Sequence, residues 1–115
     1  MIPRSRKFPL RTEFLTFRRR AQRIVTPLFT LHLAPYTSAT RLAVVVPKKL
    51  SKLATTRNWL KRLTYDTLWP ATKDRPLDAV IVYKPLPLTK SVTTQDLITQ
   101  EIQNIKRQIT NKFYL

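Results

Sequence analysis

Residues 47–68, PKKLSKLATTRNWLKRLTYDTL, constrain the fold more than any other stretch of this chain. Wound as a helix from about Leu53, they divide into two faces. Leu53, Thr56, Trp59, Leu60, Leu63 and Thr67 fall on one arc, and Arg57, Asn58, Lys61, Arg62 and Tyr65 on the other. Arg57, Lys61 and Tyr65 follow each other at i, i+4 and i+8 with Asn58 and Arg62 alongside, so long donor side chains stack along one ridge. Lys48, Lys49 and Lys52 bring the same charge to the approach, and only Asp66 opposes it. Such a segment turns its apolar side onto a sheet and offers its cationic side to phosphates.

The whole chain is charged in the same sense. Lysine and arginine number 22 against 6 acidic residues in 115, a net charge of +16, which calls for a polyanionic partner. Apolar residues still make up 43%, so residues 1–115 read as one folded domain rather than a disordered basic tail. The absence of cysteine excludes disulfides, a thiolate nucleophile and zinc fingers. One histidine, His32, makes no metal cluster, and the absence of glycine excludes the glycine-rich phosphate loops of nucleotide enzymes. The six carboxylates, Glu13, Asp66, Asp74, Asp78, Asp96 and Glu101, are scattered, and no pair has spacing that demands a two-metal site. No catalytic residue, metal site or cofactor is therefore expected of the chain itself. The longest apolar run, residues 42–46, is far short of a membrane span, and no signal-peptide core follows the start. The expected location is cytoplasmic, with no membrane partner.

Taken in order, residues 1–9 read as an extended basic arm. Thr12 then caps a short helix with Glu13 in its first turn, Leu10, Phe14 and Phe17 on one side, and Arg18, Arg19 and Arg20 at its C-terminus. The two phenylalanines fit core packing or base stacking equally. Residues 28–33 alternate as a strand, with Phe29, Leu31 and Leu33 buried and Leu28, Thr30 and His32 on a more open face. Residues 34–40 form a loop into a β-branched strand at 41–46, and these two strands most simply pair antiparallel. The basic helix ends before Pro70, residues 73–76 make a polar connection, and 79–83 form a third, buried strand. A last helix over about 95–112, opened by Thr93-x-x-Asp96, carries Ile98, Ile102, Ile105, Ile109 and Phe113 as a stripe that covers the sheet. The expected fold is an α/β (α+β) two-layer sandwich in the order α-β-β-α-β-α. Its one small mixed sheet contains a βαβ crossover with parallel strands.

The lysine pair Lys48-Lys49, then Lys52, then Arg57-Asn58-Trp59 and Lys61-Arg62 at the helix start resemble the signature of the protein component of bacterial ribonuclease P. The pattern over residues 11–33 is also similar to that family, so the likeness spans most of the chain. It implies a left-handed βαβ crossover and a subunit that does not cut RNA itself. Ribonuclease P RNA would carry the active site and its Mg2+ ions and free the 5′ end of tRNA from its precursor. The implied face for that RNA is Lys48, Lys49, Lys52, Arg57, Asn58, Lys61 and Arg62. The implied cleft for the single-stranded 5′ leader of precursor tRNA holds Phe14, Thr30, His32 and Val45; no protein partner is implied.

This chain departs from the family pattern at several places. Trp59 stands for the second arginine of the motif, at the edge of the apolar arc where core packing is favoured. The second cleft aromatic, four residues after the first, is here Arg18, so either Phe17 or the Arg18 cation completes the cleft. His32 stands where an aromatic is common, Ser51 for a customary glycine and Tyr65 for a basic residue. The alternative reading is a structural RNA-binding protein such as a small ribosomal protein, which shares the charge and size but has no use for a leader cleft.

Overall fold

The computed structural model describes residues 7–35, 40–72 and 77–113. Its elements are α1 (Leu10–Arg20), β1 (Gln22–Val25), β2 (Phe29–Pro35), β3 (Arg41–Val45), α2 (Ala54–Thr72), β4 (Leu77–Tyr83) and α3 (Val92–Phe113). Of the expected N-terminal arm only the end, from Lys7, is described; the connection at 73–76 and the side chains of Ile109 and Phe113 lie outside the described residues.

The sheet has the order β1-β2-β4-β3, which corrects the expected pairing of the second and third strands. β2 and β3 are not neighbours, because β4 lies between them, antiparallel to β2 and parallel to β3. The reason is burial. LDAVIVY is apolar on both sides and inaccessible along nearly its whole length, so it takes a central place where both faces are covered. The expected parallel β-α-β unit is present as β3-α2-β4. β1 is an additional strand, antiparallel to β2. Thr26 closes their hairpin: its backbone N–H donates to the Phe29 carbonyl at 2.8 Å, and its hydroxyl accepts the Phe29 N–H at 3.1 Å. Pro27 sits in the turn, where its fixed φ suits the second position.

One face of the sheet carries Ile24, Phe29, Leu31, Leu33, Leu42, Val44, Ala79, Ile81 and Tyr83 in a core shared with α2 and α3. Leu60 and Leu68 enter it from α2, and Ile98, Ile102 and Ile105 from α3, all buried. Trp59 packs half-buried against this core, whereas Leu53 precedes the helix and is exposed. Tyr65 also differs from the sequence expectation: it leaves the cationic ridge and leans on the sheet, its hydroxyl accepting the Val44 N–H at 3.2 Å. A phenol ring gains more from apolar burial than from solvent, provided its hydroxyl finds a partner.

Three helix ends differ from expectation. α1 begins at Leu10 behind Pro9 with no side-chain cap, so Thr12 lies inside its first turn. α2 runs through Pro70 to Thr72. A proline this close to the end forfeits one backbone bond, and the final turn is held by other donors: Thr72 Oγ1 to the Leu68 carbonyl and Thr40 Oγ1 to the Thr72 carbonyl. α3 is capped by Ser91, whose Oγ accepts the Thr94 N–H at 3.1 Å, rather than by Thr93.

On the opposite face α1 is fastened by a carboxylate. Asp78 is fully buried and receives Arg41 Nε on Oδ1 and Arg41 Nη2 on Oδ2, both at 2.8 Å, with Arg20 Nη2 at 3.1 Å. Arg41 also donates to both Glu13 oxygens, at 3.2 and 3.3 Å, and lies 5.1 Å from the Phe8 ring. The cluster joins β3, β4 and both ends of α1, and its bonds to Asp78 raise the Arg41 pKa. Removing Asp78 takes from a nearly buried guanidinium its two shortest charge-assisted bonds. Asp78→Ala is expected to cost about 3–5 kcal/mol of unfolding free energy in urea denaturation at neutral pH. A loss below about 1 kcal/mol would contradict the anchoring role.

Candidate nucleic-acid interface

The face beneath α1 is only partly covered, and the cross-strand register orders what remains. Arg23, His32, Val80 and Ala43 lie in one row across the sheet, and Val25, Thr30, Val82 and Val45 in the next. Above them Leu10, Phe14 and Arg18, spaced by four, run down one side of α1. Helix wall and sheet floor enclose a groove of about 460 Å³ lined by Leu10, Phe14, Arg18, Arg23, Thr30, His32, Val45 and Val82.

Phe17 is not in the wall. Three residues after Phe14, it faces the sheet and is buried with Ala34, Ala43 and Val80, with its ring centroid 4.8 Å from that of Phe8. The two alanines leave the space that such a ring requires, and the Arg20 guanidinium lies 5.4 Å from its centroid. Of the two, Arg18 lines the groove, and Phe17 holds the helix to the sheet. Phe14, half-buried, meets His32 edge-on, with ring centroids 5.9 Å apart at 89°.

A second cationic surface begins where β3 leaves the groove. Past Val45 the chain turns, with the Leu50 N–H donating to the Pro47 carbonyl at 3.0 Å, and presents Lys48, Lys49 and Lys52 to solvent. Arg57 reaches back from the first turn of α2, Nη1 donating to the Ser51 carbonyl at 2.7 Å. It is half-exposed, so the same guanidinium that fixes this loop keeps further donors for a ligand. Asn58, Lys61 and Arg62 are exposed on the outer side of the helix. Among the described residues no three carboxylate or imidazole side chains gather as metal ligands.

The sequence profile of the ribonuclease P family matches residues 2–110. The chain belongs to that family. A ribonuclease P protein is a subunit of the ribonucleoprotein endonuclease that matures the 5′ ends of tRNA, and this chain has that role. Solved structures show the same fold at low identity. The Staphylococcus aureus ribonuclease P protein has a TM-score of 0.67 at 17% identity, covering 92% of this chain and 93% of that one. A mutant of the S. aureus protein described as defective in mRNA degradation has a TM-score of 0.66 at 18% identity, covering 93% and 86%. The Thermotoga maritima protein has a TM-score of 0.61 at 19% identity, covering 91% and 92%. No curated protein sequence matches the chain at a significant level. Nothing in these likenesses supports the ribosomal alternative.

In this ribonuclease P protein the groove brings together Phe14, Arg18, Thr30, His32 and Val45, five of the six side chains expected in a cleft. Leu10, Arg23 and Val82 join them unanticipated. Val82 could be found only through the register. Arg23 was hidden with its strand, though the Thr-Pro turn at 26–27 and the alternation of Arg23 and Val25 with Ile24 carry the signal.

His32 is the imidazole of the floor, beside Arg23 in its row. Burial lowers its pKa, and the charges of Arg18 and Arg23 lower it further. Folding therefore disfavours the protonated ring, so the unfolded chain takes up that proton first as pH falls. The neutral ring's contribution to stability is full above 6.5 and is lost as pH falls through the folded midpoint. In the free protein the ring should titrate below the usual 6.5, as read from its proton shifts by NMR. A midpoint at or above that value would show that neither burial nor the two arginines act on it.

Proposed function

We infer that this subunit holds two RNAs at once, ribonuclease P RNA against Lys48, Lys49, Lys52, Arg57, Asn58, Lys61 and Arg62, and the 5′ leader of precursor tRNA in the groove. The observation that carries the reading is the continuity of the two surfaces along β3. Val45 lies in the groove floor, and Lys48 follows three residues later on the exposed cationic loop. The chemistry of each surface suits its partner. Lysine and arginine on a helix face meet backbone phosphates without reading sequence. A groove walled by a half-buried phenylalanine and floored by an imidazole accepts unpaired bases, each stacked base contributing about 1–3 kcal/mol with little preference among them. Leaders of differing sequence require that tolerance.

Hydrolysis of the phosphodiester is assigned to the RNA and its Mg2+ ions. On this chain Glu13 and Asp78, the carboxylates nearest the groove, are engaged by arginines, so the protein's own part is to bind and orient. Among the described residues no helix is long and apolar enough to cross a membrane, and the reading places the subunit in the cytoplasm with its RNA.

Reconstitution tests the assignment. Added to a bacterial ribonuclease P RNA at low magnesium, the chain should stimulate leader removal, and it should favour precursor tRNA over mature tRNA in competition. A folded preparation that does neither would refute it. Lys61→Ala and Arg62→Ala should each weaken binding of the catalytic RNA and flatten its salt dependence by about 0.7–0.9 in logarithmic slope for each phosphate no longer neutralised. An unchanged slope would show that this helix face does not meet that RNA.

A further inference from the structure

A smaller cavity of about 210 Å³ adjoins the groove, lined by Arg18, Ala21, Arg23 and His32. Arg18, Arg23 and His32 line the groove as well, so the two spaces meet at these side chains. They come from three separate elements. Arg23 of β1 and His32 of β2 are cross-strand partners and share a face of the sheet, while Arg18 comes from the last turn of α1. Ala21, where the helix gives way to extended backbone, fills little of the space between them.

The geometry points to a phosphodiester seat at this junction, in which Arg18, Arg23 and His32 hold one backbone phosphate of the single strand whose bases lie along Phe14. The inference rests on the reading of the groove as the leader's place and adds what that reading leaves unassigned, the anchor for the strand's charge.

The electrostatics favour an anion. The nearby carboxylates are already engaged: Asp78 by Arg41 and Arg20, and Glu13 by Arg41. Among the described residues no ion pair involves Arg18 or Arg23, so two exposed guanidiniums face a neutral imidazole without a counter-charge. The other side chains in the His32 row, Val80 and Ala43, are apolar and add no charge. A phosphodiester brings one negative charge and two free oxygens to a pair of guanidiniums that lack a counter-charge, and guanidinium forks match that geometry. A base offers acceptors but no negative charge to set against two guanidiniums. The position also joins phosphate to base: the charged end of the groove passes directly into the part walled by Phe14 and floored by Thr30 and Val82.

The test moves a neutral methylphosphonate one linkage at a time along the leader of precursor tRNA, bound to the full chain reconstituted with ribonuclease P RNA. At one linkage the change should cost on the order of tenfold in affinity, the worth of one charge-assisted hydrogen bond. In the Arg18→Gln/Arg23→Gln protein the same linkage should cost nothing further, and both positions are exposed, so the core is unaltered. A loss that persists in the double variant, or no linkage-specific loss at all, overturns the seat; a retained preference for leader-bearing over leaderless tRNA then leaves the groove assignment standing. Equal binding of leader-bearing and leaderless tRNA by the unaltered protein overturns both.

Discussion

In a chain of net charge +16, the position of α1 depends on a buried negative charge. The Asp78 carboxylate has no access to solvent, and such a group is tolerated only with strong donors on its oxygens. Arg41 and Arg20 supply them, and Arg41 passes the tie on to Glu13 near the start of the helix. With Phe17 and Phe8 packed on Ala34, Ala43 and Val80, the cluster sets how far the helix stands from the sheet. That separation is the width of the groove, so an ion cluster at one end and a pair of rings beneath fix the shape of a surface they do not themselves line.

The arginines show that residue type alone does not assign a role. Arg41, nearly buried and held by two carboxylates, is a structural part of the sheet. Arg57 is intermediate, fixing the Ser51 carbonyl with one nitrogen while its other donors remain available. Arg18 and Arg23 are exposed at the mouth of the groove, where their charge acts on His32. What separates these cases is the distribution of six acidic residues among 22 basic ones: an arginine with a carboxylate in reach is consumed by the fold, and the others are left for a polyanion.

The helices, the alternation of β2 and the parallel crossover were legible in the sequence because each rests on a local period. Strand order was not, since it depends on which strand is covered on both sides, and β4 reveals that only when both layers are assembled. β1 carries its alternation over only four residues, a weak signal, and Pro70 suggests a stop that the threonines at 40 and 72 make unnecessary. In the groove, Phe14, Thr30, His32 and Val45 follow from the family resemblance, whereas the pattern left Phe17 and Arg18 as alternatives until the helix was set against the sheet. Arg23 reaches the groove only through β1, whose four residues leave a faint trace in the sequence. Tyr65 was misplaced because a helical projection counts angles and takes no account of a backbone N–H at Val44 in need of an acceptor.

The short stretch at Lys7 and Phe8 bears on solubility. Lys7 bridges Leu42 in parallel, the Phe8 N–H donates to the Leu42 carbonyl at 2.8 Å and the Val44 N–H donates to the Tyr65 hydroxyl, so the outer border of β3 is engaged at Leu42 and Val44 by the chain itself. The opposite border is β1, four residues long, with Gln22, Arg23 and Val25 accessible. An incoming strand from another copy would find one margin interrupted and the other brief and charged, which gives fibre-like stacking little to grow from even where high concentration or bound RNA offsets the mutual repulsion of the copies.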